Sequence, residues 1–113
     1  MFIALAISLC ALCSQAETPV ALHGLLKVKG NRIVDQHGEE VQLRGMSMFW
    51  SQWKGKYYTP QVVKWLVEDW NINVVRVAIA VDQGGYATDK KEMDKAVTVI
   101  QAAIDLGIYE RRC

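Results

Sequence analysis

The chain has 113 residues, 51% of them apolar, and a formal net charge of +1. That length suits one domain at most. The near-neutral balance carries no basic stripe of the kind that binds nucleic acid, and no basic amphipathic segment points to a membrane surface.

Residues 1–16 hold no charged side chain, and Phe2–Leu12 is an apolar run too short to span a bilayer easily. Ser14-Gln15-Ala16 puts small residues at the two positions a signal peptidase reads. We read residues 1–16 as a secretory signal peptide cut before Glu17, with a membrane anchor or a buried strand as the alternative. The mature protein is then secreted and extracellular, with no membrane contact after cleavage. Cys10 and Cys13 leave with the signal, so their C-x-x-C spacing reads as composition rather than as a metal or redox motif. Cys113 remains, either to pair between chains or without a role, and there is no internal disulfide framework. Nothing in the spacing implies a metal or cofactor.

Residues 17–24, with Pro19, read as a linker, and residues 25–113 as the domain. Leu26–Lys29 and Arg32–Asp35 alternate around Gly30-Asn31 and predict a small antiparallel hairpin. His23 in the linker and His37 in the next turn read as solvated side chains. Val41–Gly45 alternates as a strand, and Gly45 allows a turn or a close backbone approach. Phe49, Trp50 and Trp53 follow, three aromatic residues in five positions. They form either a plug for the core or a flat platform for a ligand.

Lys54–Tyr58 reads as a loop. Thr59-Pro60 then opens a helix as N-cap and first residue, with Val62, Val63, Leu66, Val67 and Trp70 on one stripe. Glu68 reads as a solvated carboxylate. Val74–Val81 is nearly continuous and β-branched, as buried parallel strands are. Val75, Val77, Ile79 and Val81 form its helix-facing side, while Arg76, Ala78 and Ala80 face an interior or a cleft. A charge inside such a strand costs several kcal/mol unless it is paired. Arg76 therefore reads either as half of an ion pair or as a group holding a substrate oxygen or carboxylate. Asp82–Thr88 is a loop whose Gly84-Gly85 does not make a phosphate cradle. Asp89 and Glu92 form a capping box ahead of a stripe of Met93, Ala96, Val97, Ile100 and Ile104. Gly107 stops that helix, and Ile108-Tyr109 begins another strand. The order is βαβα with parallel strands, the opening of a larger α/β fold.

Several motifs recur in one order: Gly45-Met46-Ser47 and Gln52-Trp53; Lys64-Trp65-Leu66 and Asp69-Trp70; Val75-Arg76 with Asp82-Gln83-Gly84-Gly85-Tyr86; and Asp105-Leu106-Gly107-Ile108-Tyr109. Over about residues 22–109 this series resembles glycoside hydrolase family five, the endo-β-1,4-glucanases or cellulases. It is most similar to the secreted cellulases of plant-parasitic nematodes and their bacterial relatives. The resemblance implies that the chain is the N-terminal portion of a (β/α)8 TIM barrel. It also implies a β-1,4-glucan substrate and a retaining mechanism. In such a mechanism two glutamates about 5 Å apart act as acid/base and nucleophile. In the family they end the fourth and seventh strands, beyond the segments that match here. Glu39, Glu40, Glu68, Glu92 and Glu110 match no catalytic motif, so the 113-residue chain is expected to be a truncated, inactive form.

By the same resemblance, Arg76 supports the nucleophile, Trp53 stacks on glucose rings, and Trp50 and Phe49 line the substrate. Trp50 and Phe49 stand where bacterial members have Gly and His, and Ala80 stands where many have Tyr. A core role is the alternative for all three aromatic residues. Trp65 and Trp70 read as helix packing. The family continues past Gly107-Ile108-Tyr109 with an apolar strand ending in Asp-Trp-His, whereas this chain has Glu110-Arg111-Arg112-Cys113. Two other functions remain open on the sequence: a non-catalytic secreted fragment that binds glucan or a host protein through Trp50 and Trp53, or an unstable product with no function.

Overall fold

The computed structural model describes residues 16–112. The expected signal peptide up to Gln15, Cys10 and Cys13 within it, and Cys113 lie outside those residues. The segment expected to be a linker forms a short helix, α1 (Pro19–His23). The Thr18 hydroxyl accepts from the Ala21 amide, and Pro19 takes the first helical position, where a missing N–H costs nothing. Proline starts a helix here instead of breaking one.

β1 (Lys27–Lys29) and β2 (Arg32–Val34) pair antiparallel in the expected hairpin. The next segment folds back on it. The Val41 amide donates to the Ile33 carbonyl, and Val34 and Val41 are buried. The main sheet has three parallel strands in chain order: β3 (Gly45–Ser47), β4 (Val74–Val77) and β5 (Tyr109–Arg112). Between β3 and β4 run α2 (Ser51–Lys54), a 3-10 turn (Gly55–Tyr57) and α3 (Pro60–Trp70); α4 (Lys90–Asp105) joins β4 to β5. The parallel βαβα order is as the sequence predicts, and β5 continues through Glu110-Arg111.

One face of the sheet packs on α3 and α4. Val75 and Val77 are fully buried there among Val63, Leu66, Ala96, Val99 and Ala103. Each buried valine or leucine there contributes about 1.5–3 kcal/mol by leaving water. The α3 caps are as expected: Thr59 accepts from the Val62 amide, and Asn71 closes the C-terminus in the left-handed region at φ 51°.

Five further sequence expectations need correction. The ladder of β3 begins at Gly45 instead of ending there. Upstream, the Asn73 side chain stands in for a strand, accepting from the Arg44 amide at 2.7 Å and donating to the Gln42 carbonyl at 2.8 Å. β4 stops at Val77, four residues early. The carbonyls of Ala78 and Ala80 go to the Tyr58 hydroxyl and the Tyr86 amide, and Val81 is exposed. Lys54–Tyr58, read as a loop, is the end of α2 and the 3-10 turn. Trp70 does not join the α3 core stripe. It is exposed and meets Trp65 edge to face with ring centroids 5.8 Å apart.

The fifth correction concerns α4. It buries Glu92, Ala96, Val99, Ala102 and Ala103, while Met93, Val97 and Ile104 are exposed. Small side chains face the sheet because the helix lies close to it, so the bulkiest positions do not mark the buried side.

Candidate functional site

Because β3, β4 and β5 run the same way, their C-terminal ends share one edge of the sheet. The opposite edge is closed by α1, whose Val20 amide donates to the Gly107 carbonyl at 2.9 Å. The Tyr109 hydroxyl donates to the Gly24 carbonyl there at 2.7 Å. The hairpin is tied in by His23, whose Nδ1 lies 3.0 Å from the buried Asp35 carboxylate. His23 is therefore a partner of Asp35, not the solvated residue the sequence suggested. Its hydrogen bond is the main cause holding the Asp35 carboxyl below its usual pKa, assisted by the amides of Glu39 and His37.

The aromatic segment leaves the C-terminal end of β3, the end at which parallel barrels carry their sites. The structure brings all three aromatic residues together. Trp53 lies at the centre, with ring centroids 5.2 Å from Trp50 and 6.0 Å from Phe49, both pairs tilted by about 30°. Trp53 is 57% exposed, Phe49 is as open, and Trp50 is 39% exposed. The cluster is thus a surface and not a plug in this chain.

Its base is fixed from below. The buried Tyr58 hydroxyl lies 2.8 Å from the Phe49 carbonyl and 2.9 Å from the Ala78 carbonyl, so one proton is shared between the ends of two strand segments. Burial raises the Tyr58 pKa, which keeps that proton in place. Beneath Phe49 opens an apolar pocket of about 380 Å³ lined by Met46, Met48, Tyr57, Tyr58, Val62 and Leu66.

Arg76 is not buried. It lies on the sheet face away from α3 and α4, where none of the described residues covers it, and its Nη1 donates to Ser47 Oγ at 2.8 Å. Its carbonyl accepts from the Met48 amide, so Arg76 is tied to the strand that delivers the aromatic segment. The register sets Arg111 of β5 directly beside it. Two cations side by side on one face repel each other, and an anion placed between them would relieve that repulsion. Arg111 was not a site residue on sequence grounds, because only the register reveals the pairing.

The glutamates occupy other places. Glu40 pairs with Arg32 on the hairpin, and Glu68 lies 3.7 Å from Lys64 on the exposed side of α3. Glu92 is 5% exposed, with Oε1 2.5 Å from Lys95 Nζ. Glu110 lies on β5 in register with Val75. Among the described residues no cluster of His, Cys, Asp and Glu is arranged to hold a metal ion.

The family model described as cellulase (glycosyl hydrolase family 5) matches residues 34–110. Endoglucanase N of Pectobacterium atrosepticum is 42% identical over 94 residues, covering 83% of this chain and 21% of that protein. Endoglucanase A of Evansella cellulosilytica is 44% identical over 72 residues, 64% of this chain and 15% of that one. A solved structure from Cytophaga hutchinsonii superposes with a TM-score of 0.80 at 52% identity, covering 83% of this chain and 31% of that one. The catalytic domain of Thermobifida fusca endoglucanase Cel5A, in complex with cellotetraose, superposes with a TM-score of 0.75 at 33% identity over the same shares. The chain therefore spans about a fifth of the length of the curated relatives it matches.

Proposed function

The chain belongs to the cellulase family, glycosyl hydrolase family 5, and from that membership we propose that it forms the glucan-binding opening part of an endo-β-1,4-glucanase barrel. Its fold is the N-terminal portion of a (β/α)8 barrel. The observation that carries the reading is the exposed cluster of Phe49, Trp50 and Trp53 at the C-terminal ends of the strands. A pyranose has apolar C–H faces and a polar rim, and an open indole surface with polar neighbours matches both. Trp53 at the centre of the cluster stacks on the glucan, with Trp50 and Phe49 extending the platform. Arg76 stands ready to hold a carboxylate, in the family's pattern the nucleophile glutamate.

Retaining hydrolysis needs two carboxyl groups about 5 Å apart across the scissile bond. Three glutamates of this chain are paired elsewhere, Glu40 with Arg32, Glu68 with Lys64 and Glu92 with Lys95, and Glu110 lies on β5 opposite Val75. The 113-residue chain thus binds β-1,4-glucan without cleaving it. Residues 1–16 direct it out of the cell as a secretory signal. Within the family we place it nearest the secreted cellulases of plant-parasitic nematodes.

The test is retention on cellulose by the purified chain and by Trp53→Ala, with release of reducing ends from soluble cellulose assayed in parallel. Selective loss of retention in Trp53→Ala, with no reducing ends above a mock preparation, is expected. Equal retention of the two proteins would overturn the platform. Hydrolysis that is lost on changing one of the glutamates would overturn the inactivity.

A further inference from the structure

Glu92 departs from the role its position predicts. It sits three residues after the N-cap Asp89, where a glutamate ordinarily reaches back to the N-cap amide. Here that amide already donates to the Gly85 carbonyl at 2.9 Å, and Asp89 Oδ1 accepts from Lys91. The Glu92 side chain instead turns into the junction between α4 and the aromatic segment. Its Oε1 takes the Lys95 ammonium at 2.5 Å, and the same ammonium reaches the Ser51 carbonyl at 3.5 Å. Ser51, the first residue of α2, is 1% exposed, and among the described residues neither its hydroxyl nor the second Glu92 oxygen, Oε2, has a hydrogen-bond partner. Burial by itself would raise the Glu92 pKa. The Lys95 ammonium on Oε1 outweighs it, and the carboxyl sits below its usual value and stays charged.

Gly55, just after α2, completes the junction. A Cβ there would lie 2.7 Å from Lys95 Nζ, although the residue has ordinary helical dihedrals that any side chain could adopt. The backbone tolerates a side chain, but the ammonium occupies its space.

We propose that Glu92 is a positioning residue for the aromatic platform: through Lys95 and Ser51 its buried carboxylate pins α2 to α4 and so sets the mutual angle of Trp50 and Trp53. A buried charge is costly unless it is paired, and this pair lies directly under the segment that carries both indoles. The value of the angle for glucan binding rests on the proposed function; the angle itself does not.

Two tryptophan pairs in the chain make the test internal. Trp50 and Trp53 stand on the segment pinned by Glu92, whereas Trp65 and Trp70 stand on α3. Each pair of close indoles gives a coupled band in circular dichroism, assigned by difference against Trp50→Phe and Trp65→Phe. Glu92→Gln is expected to lower the Trp50–Trp53 band at least twofold and to leave the Trp65–Trp70 band unchanged. Gly55→Ala, which displaces the ammonium without touching the carboxylate, is expected to do the same in case Glu92→Gln fails to fold. Loss of both bands together in both variants would show a merely structural role, and retention of the Trp50–Trp53 band would show no role; either result overturns the proposal. Because no sugar is present, failure here is distinct from failure of glucan binding, which the cellulose assay reads.

Discussion

At position 45 a single hydrogen decides whether the sheet can form. A Cβ on Gly45 would lie 1.7 Å from the Val74 carbonyl oxygen, inside any possible contact. The parallel pairing of Gly45 with Val74 therefore requires glycine. Gly45→Ala is expected to destabilise the chain by on the order of 3 kcal/mol, the upper range for overpacking, as read by urea denaturation. The sequence already marked Gly45 as a place of close backbone approach. It could not show that the approach is to Val74, since that contact spans 29 positions and depends on register.

Two carboxylates tie stability to acid. Asp35, held down chiefly by its His23 hydrogen bond, and Glu92, held down against burial chiefly by Lys95, both have folded pKa values below their unfolded ones. A group of this kind stabilises fully above its unfolded pKa and loses that contribution as pH falls through the folded value. Melting temperature is therefore expected to fall as pH drops from about 5 to about 3. The double variant Asp35→Asn, Glu92→Gln should start lower at neutral pH and show a flatter slope. An unchanged slope in the variant would assign the acid sensitivity to other groups. Neither carboxylate was legible as a partner in the sequence. Asp35 lies 12 positions from His23, and Glu92 looked like half of a cap.

Among the elements, α3 and the end of α4 were read correctly from local signals, whereas the Thr18-Pro19 start of α1 was passed over and the segments with borrowed partners were misread. Thr59-Pro60 fixed the start of α3, and Gly107, at φ 64°, ended α4 with the Ile108 amide folding back to Ala103. The segment before β3 was misread because its bonds are mixed: the Val41 amide goes to β2, while the Arg44 amide and the Gln42 carbonyl go to the Asn73 side chain, so no continuous ladder forms. The same fact yields a prediction. Asn73→Ala leaves the Arg44 amide and the Gln42 carbonyl without that partner, and each lost bond costs about 1 kcal/mol. A loss of roughly 2 kcal/mol is expected, with amide exchange at Arg44 rising more than at Val75. Equal protection at both amides in variant and parent would contradict the bracket. The buried side of α4 escaped the sequence for another reason: periodicity was legible, but its phase is set by alanines that admit a close sheet, not by the largest residues.

In the whole molecule the two ends of the sheet do different work. The N-terminal ends are shut by α1, the hairpin and the Tyr109 hydroxyl, and the C-terminal ends carry the aromatic cluster. Among the described residues, the face bearing Arg76 and Arg111 stays open to solvent. The parallel α/β order and the aromatic segment were legible in the sequence. The exposure of Arg76 was not, because a strand pattern tells which residues share a face but not whether anything covers it. The most direct measurement is calorimetric titration of cellotetraose into the folded 113-residue chain and into Trp53→Ala. Saturable binding weakened roughly tenfold or more in the variant, the scale of one lost aromatic contact, is the expected result. Equal affinity of the two proteins, or no binding by a chain whose fold is intact, would contradict it.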